Sequence, residues 1–67
     1  MKVKELLKII EVEKVLVIYK DYIENFKWNN WDSFRDYNDI KLEEKYGEYE
    51  IEYISINKYN EFELAIK

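Results

Sequence analysis

The 67-residue sequence predicts a small α+β domain spanning residues 1–67. Its expected form is an N-terminal amphipathic helix packed on a small, mainly antiparallel sheet of about three or four strands, with a short middle helix and a C-terminal β-hairpin. Three observations carry this expectation. Val3, Leu6, Leu7 and Ile10 fall at i, i+3, i+4 and i+7. The stretch "KVLVIY", residues 14–19, sets five apolar residues in a row between charges. The final third of the chain alternates polar and apolar side chains with a period of two.

Taken in order, the first stripe predicts a helix over about residues 2–10 with one apolar face. "KVLVIY" is short and rich in β-branched residues, so it reads as a strand covered on both faces. Asp21–Glu24 reads as a turn, and "NFKWNN" as a second strand with Phe26 and Trp28 on one face. A short helix is expected from Ile40 to Tyr46, with Asp39 as its N-cap and Gly47, the only glycine, at its stop. In the closing segment Tyr49, Ile51 and Tyr53 alternate with Glu48, Glu50 and Glu52, after which the phase flips to Ile54 and Ile56. Phe62, Leu64 and Ile66 continue the alternation. Facing residues of an antiparallel pair share a face, so Ile56 should oppose Phe62 and Ile54 should oppose Leu64. That register suits a three-residue loop, Lys58–Asn60, with Asn60 in the left-handed region. The flip near Tyr53 then requires a β-bulge, without which three glutamates would face the core.

A chain this short buries only about 60% of the surface it exposes when unfolded, so its core is small. It has no Cys and no His, which removes disulfides and the usual zinc or haem ligands, and no cofactor is expected. Bulk remains as the stabilising device: aromatic residues make up 18% of the chain. The net charge of −4 argues against direct nucleic-acid or anionic-membrane binding, both of which need clustered cations. Lys8, Glu11 and Glu13 interrupt any signal-peptide core, and no stretch approaches the roughly 20 apolar residues of a membrane span, so a cytoplasmic protein is expected.

Catalysis finds little to work with. Without His the commonest general base is missing, and Ser33 or Ser55 would have no His or Cys to activate it. A single glycine cannot build a phosphate loop. A non-enzymatic protein is therefore expected. "NNWDSFRDYND" is rich in oxygen ligands, yet from Asp36 the calcium-loop spacing fails at Ile40, and loop capping by Asx side chains explains it better.

Two constellations stand out as partner-binding candidates. Trp28, Trp31, Phe34 and Tyr37 recur at every third position. One reading makes Trp28 and Phe34 core plugs with Trp31 and Tyr37 across the rim. The other makes Trp28, Trp31 and Tyr37, with Arg35, a contact patch of the residue types enriched at binding hot spots. The second constellation is acidic: Glu48, Glu50 and Glu52 recur on one strand face about 6.6–6.8 Å apart, and Glu61 and Glu63 join them if the bulge forms. Either this is the solvated face of a sheet, or it is a carboxylate ridge that mimics backbone phosphates and competes for a basic groove.

The opening "MKVKELLKII" followed by "VLVIY", and the closing "YEIEYISI…EFELAI", resemble small phage and prophage proteins of low-GC bacteria. A composition rich in Lys, Asn, Ile and Tyr, whose codons are dominated by A and T, agrees with such a source. In general character the chain is also similar to anti-CRISPR and other anti-defence proteins. That resemblance implies a protein that binds a host nuclease or effector complex over its nucleic-acid channel, and it carries over no residue. Self-association through the aromatic segment, a homodimer without inhibitory role, is the alternative.

Overall fold

Five apolar residues in succession put Lys14–Tyr19 (β1) at the middle of the sheet, where both edges find a neighbour. The computed structural model of the chain describes residues 1–29 and 32–67. Within them the elements run α1 (Val3–Leu6), β1, β2 (Tyr22–Asn29), β3 (Ser33–Arg35), α2 (Leu42–Tyr46), β4 (Ile51–Ile56) and β5 (Phe62–Ile66). The strands lie in the order β3-β2-β1-β5-β4, antiparallel at every step except β1–β5, which is parallel. The α+β class agrees with the sequence. The described sheet is larger than expected, with five strands, and it is mixed.

Both helices pack on one face of this sheet. Val3, Leu6, Leu42 and Tyr46 meet Val15, Val17, Phe26, Phe34, Leu64 and Ile66 in a single buried cluster. On the other face Leu16 and Ile18 of β1 are only half-buried, which corrects the expectation of a strand covered on both sides. Their shelter comes from in-plane neighbours, Asn25 and Glu63 beside Leu16, Ile23 and Ala65 beside Ile18. Among the described residues no helix is long and apolar enough to cross a membrane.

The N-terminal helix is much shorter than its stripe suggests. Beyond Leu6 the chain tightens, with the Lys8 and Ile9 N–H groups donating to carbonyls three residues back, Glu5 and Leu6, at 3.3 and 3.0 Å. Ile9, Ile10 and Val12 are branched at Cβ and resist a helical continuation. Leu7, Ile10 and Val12 still pack on the core, so the predicted apolar contacts survive without the predicted helix.

Other boundaries move for local reasons. The turn expected at Asp21–Glu24 is a two-residue hairpin at Lys20–Asp21, with Lys20 at φ 57°. Asp39 does not cap α2: it takes φ 64°, and Lys41 stands at the N-cap without a side-chain bond. The Asx capping falls to Asp36, whose Oδ1 accepts the Asn38 and Ile40 N–H groups at 2.8 and 2.9 Å. Gly47 does end α2, but with an ordinary helical φ of −55°. Its absent side chain matters for space, since a Cβ there would run into the Glu43 carbonyl oxygen.

The C-terminal hairpin follows its sequence reading closely. Ile56 faces Phe62, Ile54 faces Leu64, and the register shifts between Ile51 and Tyr53. The Asn57 N–H donates to the Glu61 carbonyl at 3.0 Å, leaving Lys58–Asn60 as the loop, with Asn60 at φ 62°. Asn57 Oδ1 braces the loop by accepting the Tyr59 and Glu61 N–H groups.

Candidate protein-contact groove

The every-third aromatic spacing comes from a hairpin and not from a helix. Trp28 on β2 lies directly opposite Phe34 on β3, their rings in edge-to-face contact with centroids 5.1 Å apart. Phe34 is buried, whereas Trp28 is 43% exposed, which corrects its assignment as a core plug. Tyr37, on the loop after β3, is fully exposed. Trp31 lies outside the described residues.

Backbone alternation explains why a groove opens here. The Trp28 N–H donates to the Glu13 carbonyl at 2.8 Å. By the period of two, Phe26, Glu24 and Tyr22 also turn their backbone groups toward β1, and Ile23, Asn25 and Lys27 turn theirs away. β3 reaches along β2 only as far as the Lys27–Arg35 pair. The N–H and C=O groups of Ile23 and Asn25 therefore point to an edge that no described strand occupies. A groove of about 800 Å³ follows this edge, and Tyr22, Asn25, Lys27, Trp28, Arg35 and Tyr37 are among the residues lining it.

Its walls are held by charge. Lys45 Nζ sits 2.6 Å from Glu24 Oε2 and 3.7 Å from Asp36 Oδ2, tying α2 to β2 and to the loop that carries Tyr37. The hydrogen bond to Glu24 keeps the Lys45 ammonium above its usual range. The Tyr46 hydroxyl also donates to Glu24, and burial, reinforced by that bond, raises the phenol well above its ordinary value. Arg35, expected in a contact patch, acts as a strut. Its side chain is only 19% exposed and it lies 3.6 Å from carboxylate oxygens of both Asp32 and Asp39. Its Nε also donates to Ser33 Oγ at 3.1 Å. Among the described residues Lys27 forms no ion pair, so it is the uncommitted cation of the groove.

The five glutamates do not assemble into a ridge. Glu48 and Glu50 precede β4, and Glu48 is claimed by Lys4 and Lys2 at 2.6 and 2.9 Å. These lysines hold its carboxyl at about 2, far below the usual carboxylate range. Glu50 pairs with the N-terminal amine at 3.3 Å. Glu61 meets Lys14 at 2.9 Å and Asn57 at 2.9 Å, and the Asn57 amide leads in lowering its pKa. Glu63 accepts from Ser55 and Asn57. Glu52, in the bulge, forms no ion pair among the described residues. The sequence offered no sign of these lysine partners, which sit 44 to 47 residues away.

The groove thus joins Trp28, Arg35 and Tyr37 from the sequence reading with Tyr22, Asn25 and Lys27, which that reading missed. Tyr22 falls in the segment whose sequence reads as a turn, and nothing local marks Asn25 as an edge residue. Comparison of the chain with protein-family models, with curated proteins and with solved structures finds no match.

Proposed function

We propose that this chain is a non-enzymatic protein-binding module and that the β2–β3 groove is its contact surface. One observation carries the reading. A chain with so small a core would gain from burying every ring it has, yet three of the five rings exposed among the described residues, Tyr22, Trp28 and Tyr37, gather in one groove beside an unoccupied strand edge. Rings of these types, set around free backbone donors and acceptors, are what peptide-recognition surfaces use. The narrower form of the proposal, inhibition of a bacterial nuclease or effector complex by a protein from a phage or mobile element, draws on the net charge of −4 and on the resemblance in general character. Because four of the five glutamates are already engaged within the chain, the groove supports binding better than a phosphate-mimicking ridge does.

Affinity capture from bacterial lysate, with mass-spectrometric identification, tests this with three variants beside the wild type. Trp28→Ala and Tyr37→Ala should each lose the captured partner, while Glu52→Lys should keep it. Loss with Glu52→Lys and retention with the aromatic variants would overturn the groove and restore the acidic surface. Reversing Glu48 as well would confuse the test, since it would set three lysines together at the foot of α1.

A further inference from the structure

The sheet has a second open edge, on β4, at the opposite end from the groove. We propose that this edge pairs with β4 of a second copy of the chain in a two-fold symmetric dimer.

The free length is set by the chain itself. Alongside Tyr49–Ile51 the edge is already occupied: Met1 accepts from the Ile51 N–H at 2.9 Å, and the Val3 N–H donates to Tyr49 at 3.0 Å. After the bulge the hydrogen-bonded pairs with β5 continue the alternation set by Asn57 and Glu61, so Tyr53, Ser55 and Asn57 turn their backbone groups inward. Ile54 and Ile56 turn theirs outward. Their side chains lie on the helix-bearing face, yet they are 43% and 57% exposed, because the helices do not reach this margin. Exposed isoleucines with free backbone groups on an edge strand make a surface for strand pairing.

The occupant follows from self-complementarity. An antiparallel copy centred on Ser55 sets Ile54 opposite Ile56 of the partner and Ile56 opposite Ile54, with four backbone hydrogen bonds across the two pairs. The isoleucines of both copies then form one apolar cluster on the helix side. On the open side Tyr53 faces Asn57 and Ser55 faces Ser55, so no like charges meet. The same register brings Glu52 of each copy beside Lys58 of the other. These two groups have no ion-pair partner within the described chain. Shifting the centre by one residue to either side opposes Ile56 to Glu52, or Ile54 to Lys58; each shift keeps a single isoleucine pair on the axis in place of two and parts Glu52 from Lys58. The turn at Lys58–Asn60 carries each copy away before it reaches the other's Met1–Val3 segment. Pairing consumes the same edge on both copies, so assembly closes at two.

Sedimentation equilibrium across a concentration series up to about 1 mM tests the proposal, the small interface setting a dissociation constant in the micromolar range or weaker. The wild type should move from the 8.4 kDa chain mass toward twice that value. Glu52→Lys and Lys58→Glu should each weaken the dimer about tenfold, since each puts like charges together twice by symmetry, and the double variant should recover wild-type behaviour. Ile54→Lys should leave a folded monomer, checked by circular dichroism, and Tyr37→Ala should dimerise as the wild type does. A wild type that stays at the chain mass throughout would overturn the proposal. So would a dimer that the charge exchange does not weaken and restore, or one that Tyr37→Ala abolishes.

Discussion

Asp36 holds the loop that presents Tyr37, and removing its carboxylate puts a number on that support. In Asp36→Ala the Asn38 and Ile40 N–H groups lose their acceptor, and Lys45 loses the weaker of its two carboxylate neighbours. Hydrogen bonds to a charged group contribute about 1.5–3 kcal/mol each where the freed donor stays dry. Here Asn38 and Ile40 are exposed, so water recovers part of the loss, and the two bonds together are worth about 2 kcal/mol. A domain of this length has about 3–10 kcal/mol of total stability. Urea unfolding followed by tryptophan fluorescence should show a midpoint lowered by about 2 M at an unchanged slope of about 1 kcal/mol/M. Asp36→Asn keeps an acceptor at the same atom but gives up the charge that strengthens both bonds and faces Lys45 at 3.7 Å, so it should lose about 1 kcal/mol, half the cost of alanine. The reasoning fails if alanine costs under about 0.5 kcal/mol, or if asparagine is as damaging as alanine.

Three further outcomes are expected. Gly47→Ala should destabilise by about 1–3 kcal/mol in the same assay, because the new methyl group meets the Glu43 carbonyl while the neighbouring Lys4 N–H to Gly47 carbonyl bond ties α1 to α2 at 3.0 Å. Asn60→Gly should be nearly neutral and Asn60→Val should cost about 1–2 kcal/mol, since φ 62° suits glycine or asparagine and penalises a β-branched residue. The Glu48 carboxyl should titrate near 2 by NMR. Because its folded pKa lies below the ordinary 4.5, its stabilising contribution is complete above that value and disappears as pH falls toward 2. Replacing both Lys2 and Lys4 by Met should return the titration to the ordinary carboxylate range.

What the sequence disclosed and what it hid divide along sequence separation. The C-terminal hairpin was readable in register, loop and bulge because Ile54, Ile56, Phe62 and Leu64 carry a two-residue period across a short loop, and every constraint lies within about a dozen residues. "KVLVIY" was readable as a strand for the same reason. The parallel pairing of β1 with β5 joins Val15 to Phe62, and no local pattern encodes it. In α1, periodicity correctly named Val3, Leu6, Leu7 and Ile10 as residues on the core and misnamed the backbone that delivers them. The groove was half legible. Trp28 and Tyr37 were visible as residue types, but the three-residue β3 that leaves the edge of β2 open gave no signal of its own. The glutamates misled because an i, i+2 spacing implies a common face only inside a strand, and Glu48 and Glu50 precede one.

β5 lies inside the sheet, between β1 and β4, although it follows every other element in the chain. During synthesis, therefore, the sheet has to wait. β1, β2 and β3 can pair as soon as they emerge, but β4 has no place beside them until Phe62–Ile66 arrives to separate it from β1. Until then the open side of β1, with Leu16 and Ile18, is an uncovered edge exposed to chaperones or to the wrong strand. The order of translation thus runs against the order of the sheet, because the strand that joins β4 to the rest is made after it.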